Sequence, residues 1–155
     1  MEDKIKLAEK LLKEYKGKNF SFGLGCLNDL GRFVLEFWDE TLLIIPQYEW
    51  AKPLRDEVIS ILEKNNIKIV AETGTSDENT PTEGVFDLAD LIKSVKPKSI
   101  VCVVGGSAID CAKAANILAV LSPDKNDLEP FFGAGKVSEI MEKTGVKRLY
   151  PLIAV

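Results

Sequence analysis

Ile100-Val101-Cys102-Val103-Val104-Gly105-Gly106-Ser107-Ala108-Ile109-Asp110-Cys111-Ala112-Lys113 reads as a strand that turns through two glycines into a helix. Its first five residues are apolar without alternation, the pattern of a strand covered on both faces. Glycines let the backbone turn sharply and come close to a ligand. A helix start presents N–H groups without intrahelical partners and a partial positive charge, so it suits an anion such as a diphosphate. Ser107 can add its hydroxyl. The same residues also fit a capping box, with Ser107 as N-cap and Asp110 three residues on. Gly105-Gly106 would then be a plain tight turn, and the residues alone leave both readings open. Asp110 and Lys113 share a helix face, the spacing of a surface ion pair.

Outward from this segment the same alternation recurs. Apolar runs predict strands at Thr41–Ile45, Ile67–Ala71 and Leu149–Val155, with a further short candidate at Asn19–Phe22. Helical spacing of Ile5, Ala8, Leu11, Leu12 and Tyr15 predicts a surface helix over residues 4–16. Further helices are expected after Gly31 to about Phe37, at Pro53–Lys64, from Pro81, over Ser107–Leu121 and over Lys136–Lys143. Polar loops are expected at Glu72–Thr80 and over residues 122–135. The fold class is therefore α/β, a doubly wound, mostly parallel sheet with helices on both faces, Rossmann-like. Residues 1–155 form one domain, of which 1–18 are an N-terminal helical extension. A second glycine cluster, Phe22-Gly23-Leu24-Gly25-Cys26-Leu27-Asn28-Asp29-Leu30-Gly31, lacks the GxGxxG spacing of a dinucleotide fingerprint. It reads as a turn with left-handed backbone positions.

Composition narrows the function. With 46% hydrophobic and 28% charged residues the chain is an ordinary globular one. A net charge of -4 and a pI near 5.0 argue against a nucleic-acid partner, which needs a basic surface. No apolar run has the length of a membrane span, and the first residues lack the pattern of a leader. Cys26, Cys102 and Cys111 show no CxxC spacing, which points to free thiols in a reducing cytoplasm. Cys102 and Cys111 read as small buried apolar residues. Histidine is absent from the whole chain, so a transition-metal site would have to be completed elsewhere. The chain stops in an apolar strand at Ala154-Val155, and the expectation is that a second domain follows.

Four features in order carry a family resemblance. They are Phe22-Gly23-Leu24-Gly25 with Leu30-Gly31, the strand Leu42–Ile45, Asn79-Thr80-Pro81-Thr82, and Gly105-Gly106-Ser107-Ala108-Ile109-Asp110-Cys111-Ala112-Lys113. The chain resembles the iron-containing (group III) alcohol dehydrogenases, relatives of glycerol dehydrogenase and dehydroquinate synthase, whose signature is GGGSxxDxxK. The resemblance implies a dinucleotide-binding first half, and a helical second half, absent from these residues, that carries one Asp and several His ligands to iron or zinc. In such enzymes the metal polarises an alcohol oxygen and hydride passes to the nicotinamide. The implied cofactor is NAD or NADP, the implied substrate an alcohol or aldehyde, and a homodimer is left open.

By position, the resemblance assigns Gly105, Gly106 and Ser107 to the cofactor diphosphate, puts Asp110 near the cofactor, and gives Lys113 a supporting role. Two residues depart from the pattern. Val104 stands in place of the first signature glycine, with a β-branched side chain that would crowd a phosphate. Gln47 stands near where many members of the family have an aspartate, which binds the adenosine ribose and disfavours NADP; glutamine lacks that charge, so the choice between NAD and NADP stays open. Two other readings share this fold: a stand-alone nucleotide- or partner-binding module without activity, and a flavodoxin-like phosphate binder.

Overall fold

The computed structural model describes residues 2–74, 79–122 and 127–155; residues 75–78 and 123–126, within the two expected polar loops, lie outside the described residues. Its centre is a four-stranded sheet of β1 (Glu40–Ile44), β2 (Lys68–Thr73), β3 (Ser99–Cys102) and β4 (Leu152–Ala154). The order is β2-β1-β3-β4 and every pairing is parallel. The helices are α1 (Glu2–Lys16), α2 (Leu30–Leu35), α3 (Lys52–Lys64), α4 (Thr82–Val95), α5 (Gly106–Leu121) and α6 (Lys136–Thr144).

The sheet is buried on both sides because its central strands carry apolar residues at successive positions. Side chains alternate between faces along a strand. Leu42, Ile44, Ile100 and Cys102 therefore join one core, with Val85, Ala89 and Ile92 of α4 and Cys111, Ala112, Ala115 and Leu118 of α5. Leu43, Ile45, Val101 and Val103 join the other, with Leu30 and Val34 of α2 and Val58, Ile61 and Leu62 of α3. Leu42, Leu43, Ile45, Ile100 and Val101 have no exposed surface. Burying each such side chain contributes about 1.5–3 kcal/mol. The small residues of α5 let it lie close to the sheet, and Pro53 sits in the first turn of α3, where its missing N–H costs nothing. The fold class read from the sequence is the one observed.

Several boundaries differ from expectation; β4, for one, is confined to Leu152–Ala154 within the expected Leu149–Val155. Asn19–Phe22 is not a strand: Gly17–Asn19 is a short 3-10 turn, and Phe20–Phe22 has no regular structure. A strand needs a partner for its main-chain groups. Phe20 and Phe22 instead stack on each other, at 6.4 Å between ring centres, beside an apolar groove that runs along β4. α2 ends at Leu35 rather than Phe37. β2 runs on to Glu72 and Thr73, residues whose polarity had placed them in the loop. Gly23 (φ 124°) and Gly25 (φ 79°) do occupy the left-handed side of backbone space. α1 is a helix as expected, with Ile5, Leu7, Leu11 and Tyr15 exposed. Among the described residues no helix is long and apolar enough to cross a membrane.

Candidate functional site

The strand order places a crevice between β1 and β3. β1 is followed by α3, which packs on one face of the sheet, and β3 by α5, which packs on the other. The two connections leave neighbouring strands in opposite directions, and the gap opened at their carboxyl ends is where open α/β sheets bind ligands. Pairing holds this edge tightly: the Val103 N–H donates to the Ile44 carbonyl at 2.9 Å, and the Ile45 N–H to the Thr73 carbonyl at 3.1 Å.

On the β3 side, the chain passes through Gly105 into α5. The helix starts at Gly106, one residue before the serine that a capping box would use as its cap. Gly105 is the N-cap, and no side chain caps this end, so the Ser107–Asp110 capping box does not form. The first helical bond runs from the Ile109 N–H to the Gly105 carbonyl at 3.1 Å. The N–H groups of Gly106, Ser107 and Ala108 therefore precede the helical ladder. Gly105, Gly106 and Ser107 are all exposed. A Cβ added at Gly105 or Gly106 would meet nothing within 4 Å, so the turn is open. Val104, expected to crowd a phosphate, is partly buried against the core beneath α4 and α5.

Asp110 and Lys113 form an ion pair at 3.1 Å with both side chains mainly exposed, as their spacing predicts. Asp110 lies one turn into α5, on the helix whose start forms the glycine turn. The Thr80 hydroxyl donates to the Ser107 carbonyl at 2.7 Å and so ties the Asn79–Thr82 segment to the first turn of α5. Both Asn79 (φ 63°) and Thr80 (φ 54°) have left-handed backbones. For a β-branched residue such as Thr80 this conformation costs on the order of 1–3 kcal/mol.

On the β1 side stands Gln47. Its Nε2 donates to the Ile45 carbonyl at 3.2 Å and to Oε1 of Glu72 at 2.7 Å. Glu72 is also gripped by Arg55 of α3, whose Nε donates to Oε1 and whose Nη2 donates to Oε2 at 2.8 Å. The Arg55 hydrogen bond, joined by that from Gln47 and by the Arg55 charge, holds the Glu72 carboxyl below its ordinary value against the opposing effect of burial. Sequence reasoning missed Glu72 and Arg55. The polarity of Glu72-Thr73-Gly74 reads as loop, and nothing in the sequence pairs position 55 with position 72.

A pocket of about 290 Å³ lies under the same edge, lined by Ile44, Thr73, Gly74, Leu88, Ala108 and Cys111 among others. A larger depression, about 630 Å³, lies elsewhere, beside Trp38, Pro97, Lys98 and Tyr150 at the amino ends of the strands. It has no glycine turn or helix start, and the carboxyl edge is the ligand edge of such sheets. Cys102 is no nucleophile: burial, then the neighbouring Cys111, push its thiol up to about 12. Cys26 is exposed and Cys111 buried.

Comparison with known proteins bears on this geometry. The sequence profile of the iron-containing alcohol dehydrogenase family matches residues 17–155. Among curated protein sequences none matches the chain. Among solved structures, the NADH-dependent butanol dehydrogenase A of Thermotoga maritima is similar over 87% of this chain and 33% of its own, with a TM-score of 0.61 and 20% identity. The H277A mutant of ADH/D1, an archaeal halo-thermophilic alcohol dehydrogenase from a Red Sea brine pool, is similar over 61% of this chain and 24% of its own, with a TM-score of 0.55 and 24% identity. The present chain thus spans about a quarter to a third of the length of these structures. At these identities the structures speak for the fold, while the profile match takes in both motifs that meet at Thr80 and Ser107, so the chain belongs to the iron-containing alcohol dehydrogenase family.

Proposed function

We propose that this chain is the nicotinamide-dinucleotide-binding module of a metal-dependent alcohol dehydrogenase, an oxidoreductase that moves hydride between an alcohol or aldehyde and NAD or NADP. The observation that carries the proposal is the open, uncapped start of α5 at the β1/β3 crevice. The N–H groups of Gly106 and Ser107 and the helix dipole receive the diphosphate, with Gly105 giving the close approach. Asp110 lies beside the bound cofactor, and Gln47 faces the adenosine ribose from the end of β1. The residues present fit a dinucleotide for a physical reason. An anion there meets donors that no side chain satisfies, and no Cβ blocks its approach.

They do not fit a metal. The chain has no histidine, and among the described residues no group of three or more His, Cys, Asp or Glu comes together. Iron or zinc would be held by residues outside these 155, and this segment alone would not turn over substrate. We place the module in the cytoplasm, with neither nucleic acid nor membrane as partner.

The test is a calorimetric titration of the chain with NADH and with NADPH, repeated on Gly106→Asp. Binding that the substitution abolishes supports the proposal. Failure of the unsubstituted chain to bind either cofactor, or undiminished binding by Gly106→Asp, overturns it.

A further inference from the structure

The arrangement of Gln47, Glu72 and Arg55 bears on which dinucleotide the crevice takes. Glu72 is the penultimate residue of β2, the strand beside β1, and its carboxylate lies 2.7 Å from the Gln47 amide. Gln47 itself is the first exposed residue after β1. The Glu72 side chain is only 21% exposed and is fixed from two directions, by Arg55 on one side and Gln47 on the other. A carboxylate held this way has little freedom to swing aside for an approaching anion.

From this geometry we infer that Glu72, presented through Gln47, is the residue that selects NAD(H) over NADP(H) in this chain. The inference rests on the dinucleotide reading above and goes further by assigning the selectivity to a side chain on the neighbouring strand. A carboxylate beside the ribose accepts hydrogen bonds from its hydroxyls. A 2′-phosphate carries close to two negative charges, and like charges brought together at a partly dry site repel.

Arg55 is the obvious objection, since guanidinium groups also bind phosphate. Its Nε and Nη2 are both committed to Glu72, in the two-pronged geometry that makes such pairs strong. A 2′-phosphate would have to compete with a carboxylate already in place. The opposite roles of the two partners give the inference its sharpest consequence. Removing the Glu72 charge both lifts the repulsion and frees Arg55 for phosphate. Removing Arg55 leaves Glu72 unneutralised.

The experiment is a titration of the chain and of the Glu72→Gln and Arg55→Gln variants with NADH and NADPH, with the ratio of the two dissociation constants as readout. The unsubstituted chain is expected to bind NADH about tenfold or more tighter than NADPH. Glu72→Gln is expected to shift the ratio toward NADPH by about tenfold. Arg55→Gln is expected to shift it the other way. A purely structural role would move both cofactors together and leave the ratio unchanged in both variants. That result overturns the inference while leaving the dinucleotide reading intact, as would an unsubstituted chain that binds NADPH as tightly as NADH. An unsubstituted chain that binds neither overturns both. An unsubstituted chain without NADH preference overturns the inference even if a variant does not fold.

Discussion

The hydroxyl of Thr80 donates to the carbonyl of Ser107 at 2.7 Å, across 27 residues of sequence. The bond joins the segment before α4 to the glycine turn before α5, and it does so from a residue held in a left-handed conformation at φ 54°. Thr80→Val keeps the shape and removes the donor. A hydrogen bond of this kind contributes about 0.5–1.5 kcal/mol. If it serves to set the first turn of α5, Thr80→Val should weaken NADH binding by about threefold to tenfold, in line with that range. The same bond should show in the melt as a loss of stability within that range, about 0.5–1.5 kcal/mol. Calorimetry alongside a thermal melt separates the two, and an unchanged NADH affinity would remove the positioning role.

Two glycines should respond in opposite ways. A side chain at Gly106 enters open space, and the position has no left-handed requirement. An acid in the first turn of a helix also suits the dipole. Gly106→Asp should therefore fold with unchanged stability and lose dinucleotide binding. Gly31 of α2 is buried, and a Cβ there would press into the Asn65 side chain. Asn65 would have to swing away and give up its 2.8 Å bond to the Ile61 carbonyl. Gly31→Ala should cost about 0.5–1.5 kcal/mol in urea unfolding and leave cofactor affinity unchanged. A Gly106→Asp protein as unstable as Gly31→Ala would mean that the α5 turn is a packing feature and not an open site.

These contrasts mark what a sequence can and cannot disclose. The apolar runs at Leu42–Ile45 and Ile100–Val103 made the parallel, doubly covered sheet legible, because burial on both faces leaves no alternation to misread. The glycine turn and helix of Gly105–Lys113 were legible for the same local reason. The Phe20–Phe22 segment was misread because β-propensity describes residues, while a strand requires a neighbour. Of the two readings left open at Ser107, the capping box does not form because the helix begins one residue earlier than its serine. Glu72 was invisible as a site residue: its meaning comes from Arg55 and Gln47, 17 and 25 residues away. Pairings at such separations are set by strand order, which no local pattern encodes.

Asn116 is another long-range case. It is 3% exposed, inside α5, and its amide donates to the Tyr150 carbonyl at 2.8 Å while its Oδ1 accepts from the Tyr150 N–H at 3.1 Å. This reciprocal pair satisfies the backbone just before β4, where Pro151 has no N–H to offer. The ladder then begins from the Pro151 carbonyl, which accepts from the Ile100 N–H at 2.8 Å. Asn116→Ala leaves two partly buried main-chain groups unpaired and should cost about 1–3 kcal/mol. Asn116→Asp keeps the acceptor but sets a buried carboxylate against the Tyr150 carbonyl, so it should cost at least as much. Hydrogen exchange at Ile153 and Ala154 should quicken in both variants. A urea midpoint for Asn116→Ala equal to that of the parent chain would show that β4 is held by its ladder alone.

The Glu72–Arg55 pair predicts how stability depends on pH. Glu72 is the group whose carboxyl the fold holds lower than its ordinary value of 4.5, first through the Arg55 hydrogen bond. A depressed carboxyl binds its proton more weakly in the folded chain than in the unfolded one. Its stabilisation is therefore complete above the unfolded value and is lost as pH falls through the folded one. Glu72→Gln cannot ionise and has no such dependence. The gap in melting temperature between the parent chain and Glu72→Gln should be constant from neutral pH down to about 5, near the upper end of carboxylate titration, and should close below it. Arg55→Gln should show the same closing gap, because it removes the partner that lowers the carboxyl. A gap that persists unchanged into acid would mean that Glu72 is held by the Gln47 amide and by packing, with its charge contributing nothing to the fold.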